Sequence, residues 1–119
     1  RYHLRHSRDW LVRLGDGTDE SNRRMQDAVD HLLPYTSEFW AASPTEAGAI
    51  AAGCGVDVPA LRAEWDAAVD AALQEATLRR PPEAKHYVTE GKRGVHSEHL
   101  GYLLNELQGL ARQHPGAVW

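Results

Sequence analysis

Apolar residues in this chain recur at spacings of three and four in segment after segment, a period that fits amphipathic α-helices and gives strands little foothold. In residues 1–14, Leu4, Ser7, Leu11 and Leu14 fall on one stripe, with His3, His6 and Trp10 beside it. In residues 25–40, Met25, Ala28, Val29, Leu32, Thr36, Phe39 and Trp40 share a face, and the pattern keeps its phase across Pro34. Proline there removes the bond to the Asp30 carbonyl, so a kinked helix is expected rather than a full stop. Leu61, Trp65, Ala68, Val69, Ala72, Leu73 and Ala76 repeat the pattern, with Arg62, Asp66 and Asp70 pointing the other way. Leu100, Leu103, Leu104, Leu107, Leu110 and Ala111 give the last helix its expected core face. Composition agrees: 17 Ala and 13 Leu stand against 8 Val, 1 Ile and 1 Phe, favouring helix formers over strand formers. The expected fold class is all-α.

The punctuation between these segments is specific. Gly15 stops the first helix, and in Gly15-Asp16-Gly17-Thr18 the glycines are expected to take positive φ while Thr18 or Asp19 caps the next helix. A connection this tight predicts antiparallel neighbours, and Gly17→Val is expected to disrupt the turn on the strength of that φ. Ser43-Pro44-Thr45-Glu46 combines a capping box with proline at the first helical position, predicting a short helix from Pro44 to Ala52 that ends at Gly53. Asp57-Val58-Pro59 opens the following helix, and a last helix runs from Ser97 to Gln113 before Pro115-Gly116. Between Arg79 and Gly94 the periodicity vanishes; Pro81-Pro82, Gly91 and Gly94 predict a long irregular loop, a feature usually mobile or functional in a compact domain.

Several function classes are excluded on general grounds. A formal net charge of −4 over 119 residues gives no general pull on nucleic acid, so phosphate binding has to be local. No apolar run reaches the roughly 20 residues that a membrane span needs. Nothing reads as a signal peptide. Cys54, the single cysteine, rules out an intrachain disulfide framework and a Cys-rich zinc site, and favours a reducing, cytoplasmic setting. Residues 1–119 are expected to form a single helical domain. Because Arg1 to Trp10 already read as helix with no capping residue before them, the sequence is expected to be part of a longer chain.

Three constellations carry polar chemistry. His3, His6 and Asp9 form an i, i+3, i+6 ladder and are weak metal candidates. The ladder drifts around the helix, and the only Glu-x-x-His string, Glu83 to His86, follows two prolines, so no metal site built by this chain alone is expected. His96, Ser97, Glu98 and His99 open the last helix, where Ser97 and Glu98 read as capping residues and the group as a candidate contact with another subunit; acid–base chemistry by His96 or His99 would require a substrate and a perturbed pKa. Arg79, Arg80, Lys85, Lys92 and Arg93 make a local positive patch opposed only by Glu83 and Glu90, with Tyr87 as a stacking surface. That patch suits the phosphates of a coenzyme or an acidic partner, against the plainer reading of a solvated loop beside an acidic helix. No catalytic residue is identified.

Several strings together resemble a known family: Arg1-Tyr-His-Leu-Arg-His6, Trp10-Leu-Val-Arg-Leu-Gly-Asp-Gly-Thr18, Arg24-Met-Gln26, Pro34-Tyr-Thr36, Glu75-Ala-Thr-Leu78, and Gly94-Val-His-Ser-Glu-His-Leu-Gly-Tyr-Leu-Leu104 with Pro115-Gly116. The chain resembles, over nearly its whole length, the C-terminal half of the structural partner proteins (PaaC) of bacterial ring 1,2-phenylacetyl-CoA epoxidases, the phenylacetate-CoA oxygenases. The resemblance implies a ferritin-like helical bundle in a cytosolic multicomponent monooxygenase of phenylacetate degradation. It implies a partner, the catalytic A subunit, which holds a di-iron centre; NADPH electrons delivered through a separate reductase; and no cofactor bound by this chain. It further implies a structural, non-catalytic role in which Gly15, Asp16, Gly17 and Thr18 shape a turn. The alternative from the residues alone is a helical interaction module that self-associates through exposed apolar faces, and a homo-oligomer of the fragment is expected either way.

Overall fold

A computed structural model describes residues 1–82 and 89–118. Among them the regular structure is helical: α1 (Tyr2–Gly15), α2 (Asp19–Leu32), a 3₁₀ segment (Leu33–Trp40), α3 (Pro44–Ala51), a 3₁₀ turn (Val58–Leu61), α4 (Arg62–Glu75), a further 3₁₀ turn (Gly91–Arg93) and α5 (His99–Gln113). This is the all-α class that the periodicity predicts and the helical-bundle class that the resemblance implies. One isolated antiparallel bridge joins Glu90 to Val95. Contacts divide the chain into two units, residues 1–88 and 89–119.

In the first unit, α1 packs on α2 and α4. The contact is small and centred on the C-terminal end of α4, where Leu73, Ala76 and Leu78 are buried and Leu11, Val12, Met25, Val29, Leu33 and Val69 close around them. An Arg8–Glu75 ion pair joins α1 to α4 at the rim. Ala76 has no exposed surface because Gly15 lies against it: a Cβ on Gly15 would stand 2.4 Å from the Ala76 carbonyl oxygen and 2.8 Å from its Cβ.

Two of the start signals act as read. Thr18 Oγ1 accepts from the Ser21 N–H at 3.2 Å while the Thr18 N–H donates to Ser21 Oγ at 3.0 Å. Ser43 and Glu46 form the same reciprocal box at α3, at 3.2 and 2.8 Å. The turn glycines differ from expectation. Neither Gly15 nor Gly17 has positive φ; Gly17 is confined instead by Ser21 Oγ and the Arg13 carbonyl oxygen, which an added Cβ would meet at 2.8 and 2.9 Å. Closeness, not handedness, excludes side chains there.

Pro34 also acts differently. The α-helix does not continue through it as a kink; it ends at Leu32 and tightens into the 3₁₀ segment. In the first turn of that segment the missing N–H of proline costs little, and the Thr36 hydroxyl donates to the Leu33 carbonyl at 2.6 Å. Likewise Val58 and Pro59 open a 3₁₀ turn, and α4 proper starts at Arg62. In the second unit, α5 begins at His99, and its expected core face is not covered: Leu103, Leu107 and Leu110 are 55%, 71% and 59% exposed.

Candidate functional site

The polar chemistry of the first unit gathers where the chain leaves α4. Thr77 takes a left-handed conformation at φ 57°, costly for a β-branched residue and sustained by its neighbours. Its hydroxyl donates to the Gly15 carbonyl at 3.1 Å. Asn22 Nδ2 donates to that same carbonyl at 2.7 Å and to Thr77 Oγ1 at 3.0 Å. One helical turn further along α2, Gln26 treats Arg79 as a neighbouring strand would: its Oε1 accepts from the Arg79 N–H and its Nε2 donates to the Arg79 carbonyl, both at 3.0 Å. Two amide side chains of α2 thereby set the exit path of residues 77–79.

That path delivers Arg80 back over α4. Its Nε donates to Asp70 Oδ1 at 2.6 Å and its Nη2 to the Asp66 carbonyl at 3.2 Å, while Nη1 lies 3.2 Å from Asp66 Oδ1. The guanidinium carbon stands 5.7 Å from the centroid of the Trp65 ring, which in turn lies 5.2 Å from the Trp40 ring. Arg62 Nε reaches the other Asp66 oxygen at 3.4 Å. Around this group runs a cavity of about 470 Å³, walled by Trp40, Trp65, Asp66, Asp70, Arg80 and Pro82 among others. Two carboxylates, two guanidinium groups and two indoles meet in it.

Two of the basic residues singled out by sequence, Arg80 and Arg93, are ion-paired. Arg80 is neutralised by Asp66 and Asp70. Lys92 and Arg93 belong to the second unit, where Arg93 pairs with Glu90 at 3.4 Å. Lys85 and Tyr87, with the Glu83 to His86 string, lie outside the described residues.

On α1, Tyr2 stacks on His6 and His6 meets Trp10 edge to face, so the expected histidine ladder takes part in an exposed aromatic row that ends with Arg13 over Trp10. His3, His6 and Asp9 are joined there by no further ligand: among the described residues no three His, Cys, Asp or Glu side chains converge as a metal site would require. These residues do not fit a di-iron centre.

At the head of α5 the N-cap position falls on Glu98, which makes no side-chain cap. The carbonyl oxygens of Ser97 and Glu98 accept from the N–H groups of Leu100 and Gly101, both at 3.2 Å, and the Glu98 backbone is already helical. His96, Ser97, Glu98 and His99 stand together at that end of the second unit.

Sequence reasoning passed over the Asn22–Gln26–Thr77 clamp and the Arg80 cluster. The spacing Arg62, Asp66, Asp70 at intervals of four did place two carboxylates on one face of α4; what it could not supply was the arginine that folds back on them.

The model of a family described as phenylacetic acid catabolic protein matches residues 1–119. The chain is 48% identical over 119 residues to the C subunit of the 1,2-phenylacetyl-CoA epoxidase of Escherichia coli (strain K12), an alignment covering 100% of this chain and 48% of that protein. The chain thus spans about half the length of the curated relative it matches.

Proposed function

This chain belongs to the phenylacetic acid catabolic protein family, and from that premise we propose that it is part of a cytoplasmic, non-catalytic structural subunit of a multicomponent di-iron monooxygenase that epoxidises the aromatic ring of phenylacetyl-CoA. The observation that carries the reading is the 48% identity, over an alignment that covers all of this chain, to the C subunit of a 1,2-phenylacetyl-CoA epoxidase. In this reading residues 1–119 are one helical domain within a longer ferritin-like subunit. Its partner is the catalytic A subunit, which holds the di-iron centre and receives NADPH electrons through a reductase.

One observation supports a scaffold role: several large apolar side chains of α1 and α5, among them Leu4, Trp10, Leu103, Leu107 and Leu110, remain exposed, as expected of helices that await neighbours. No helix among the described residues is long and apolar enough to cross a membrane.

The test is co-expression of the full-length protein with the A subunit, followed by co-purification, metal analysis of each chain and an epoxidation assay with phenylacetyl-CoA. A stable complex with iron confined to the catalytic partner is the expected result. Failure to associate, or stoichiometric iron in the isolated full-length protein, overturns the reading.

A further inference from the structure

Three elements of the Arg80 cluster come from α4 alone: the Trp65 ring, the Asp66 carboxylate with its backbone carbonyl, and the Asp70 carboxylate. Asp66 and Asp70 stand one helical turn apart and Trp65 directly precedes Asp66, so a single helix carries all three groups whether or not Arg80 is present. Arg62 offsets one of the two carboxylate charges, which leaves this set with an excess of one negative charge once Arg80 is removed. Its shape is selective as well as its charge. An indole face accepts a flat cation, and acceptors spread over two residues engage three nitrogens of one plane, an arrangement that matches a guanidinium and not a compact ammonium. The cavity beside it, lined also by Trp40, leaves the group approachable from solvent, and Arg80 itself stays one-third exposed.

We propose that Trp65, Asp66 and Asp70 form a guanidinium socket, filled in cis by Arg80 and able to exchange it for the arginine side chain of another protein surface. Exchange is cheap in principle because both states contain the same contacts, and ion pairs this exposed hold their partners weakly. When a foreign arginine enters, Arg80 is released and carries residues 81–82 away from α4. The socket would then couple docking of a partner to the position of the chain after α4. The proposal does not depend on the epoxidase reading.

The test empties the socket and refills it. Arg80→Ala is titrated with methylguanidinium, with N-acetylarginine amide and, for comparison, with methylammonium, and tryptophan emission is followed. A saturable change with the two guanidinium compounds is expected, at concentrations at least tenfold below those where methylammonium acts. Adding Asp66→Asn and Asp70→Asn should weaken the response tenfold or more, and adding Trp65→Phe should abolish the signal. Equal responses to guanidinium and ammonium, or a response that survives the loss of both carboxylates, overturn the proposal. Should Arg80→Ala fail to fold, the unaltered chain is titrated and the Arg80 Nε–H resonance is observed. Methylguanidinium is expected to increase its exchange with water selectively; no selective effect overturns the proposal in this form too.

Discussion

Gly15 shows how one missing side chain can control a tertiary contact. Replacing it with alanine improves helix propensity by about 1 kcal/mol, yet the new methyl meets a backbone carbonyl that cannot rotate away. Overpacking of this kind typically costs about 1–3 kcal/mol, so Gly15→Ala is expected to lower stability in urea denaturation, and Ala76→Gly should not restore it, since the carbonyl oxygen remains. Asn22→Ala removes donors to both Gly15 and Thr77 and leaves the Gly15 carbonyl with one partner; a loss of about 1–2 kcal/mol is expected in the same experiment. Sequence located this turn but misread its cause. Glycines between two helices suggest positive φ, and the real constraint, Ala76, lies 61 positions away, where no local pattern can point.

At the level of elements, the features legible in sequence were those whose partners are near in the chain. The Thr18–Ser21 and Ser43–Glu46 caps span three residues each and appear where expected. Pro34 was legible as a disturbance, but its outcome depended on whether the following turn could tighten, and a 3₁₀ segment resolves that where a kink was expected. The arginine socket was half legible, since the two aspartates announce a face of α4 while Arg80 arrives from beyond a left-handed threonine that no propensity signals. The Ser43 cap offers a check on how locally such elements are held. Ser43→Ala is expected to cost about 1 kcal/mol, and α3 has only sparse contacts with the rest of the chain. The loss should therefore appear as faster amide exchange in residues 45–48, with the global melting temperature almost unchanged.

For the molecule as a whole, the buried set is small: Ala72, Leu73, Ala76 and Leu78 are the buried apolar residues among those described. The apolar faces of α1 and α5 exceed what such a core can use, and contiguous exposed leucines bind other apolar surfaces. The isolated chain is accordingly expected to bind the dye ANS strongly and to sediment as oligomers, and Leu103→Glu with Leu107→Glu should reduce both; unchanged dye binding would place the sticky surface elsewhere. The Gly15 carbonyl, finally, records an order of events. It accepts one donor from seven residues away and another from 62 residues away. Closing the short loop is entropically easier than closing the long one, so the α1–α2 hairpin is expected to form early and α4 to join it late. Refolding after a denaturant jump should then proceed at nearly the same rate with Gly15→Ala, while unfolding accelerates, because the contact it damages is made only after the barrier has been crossed.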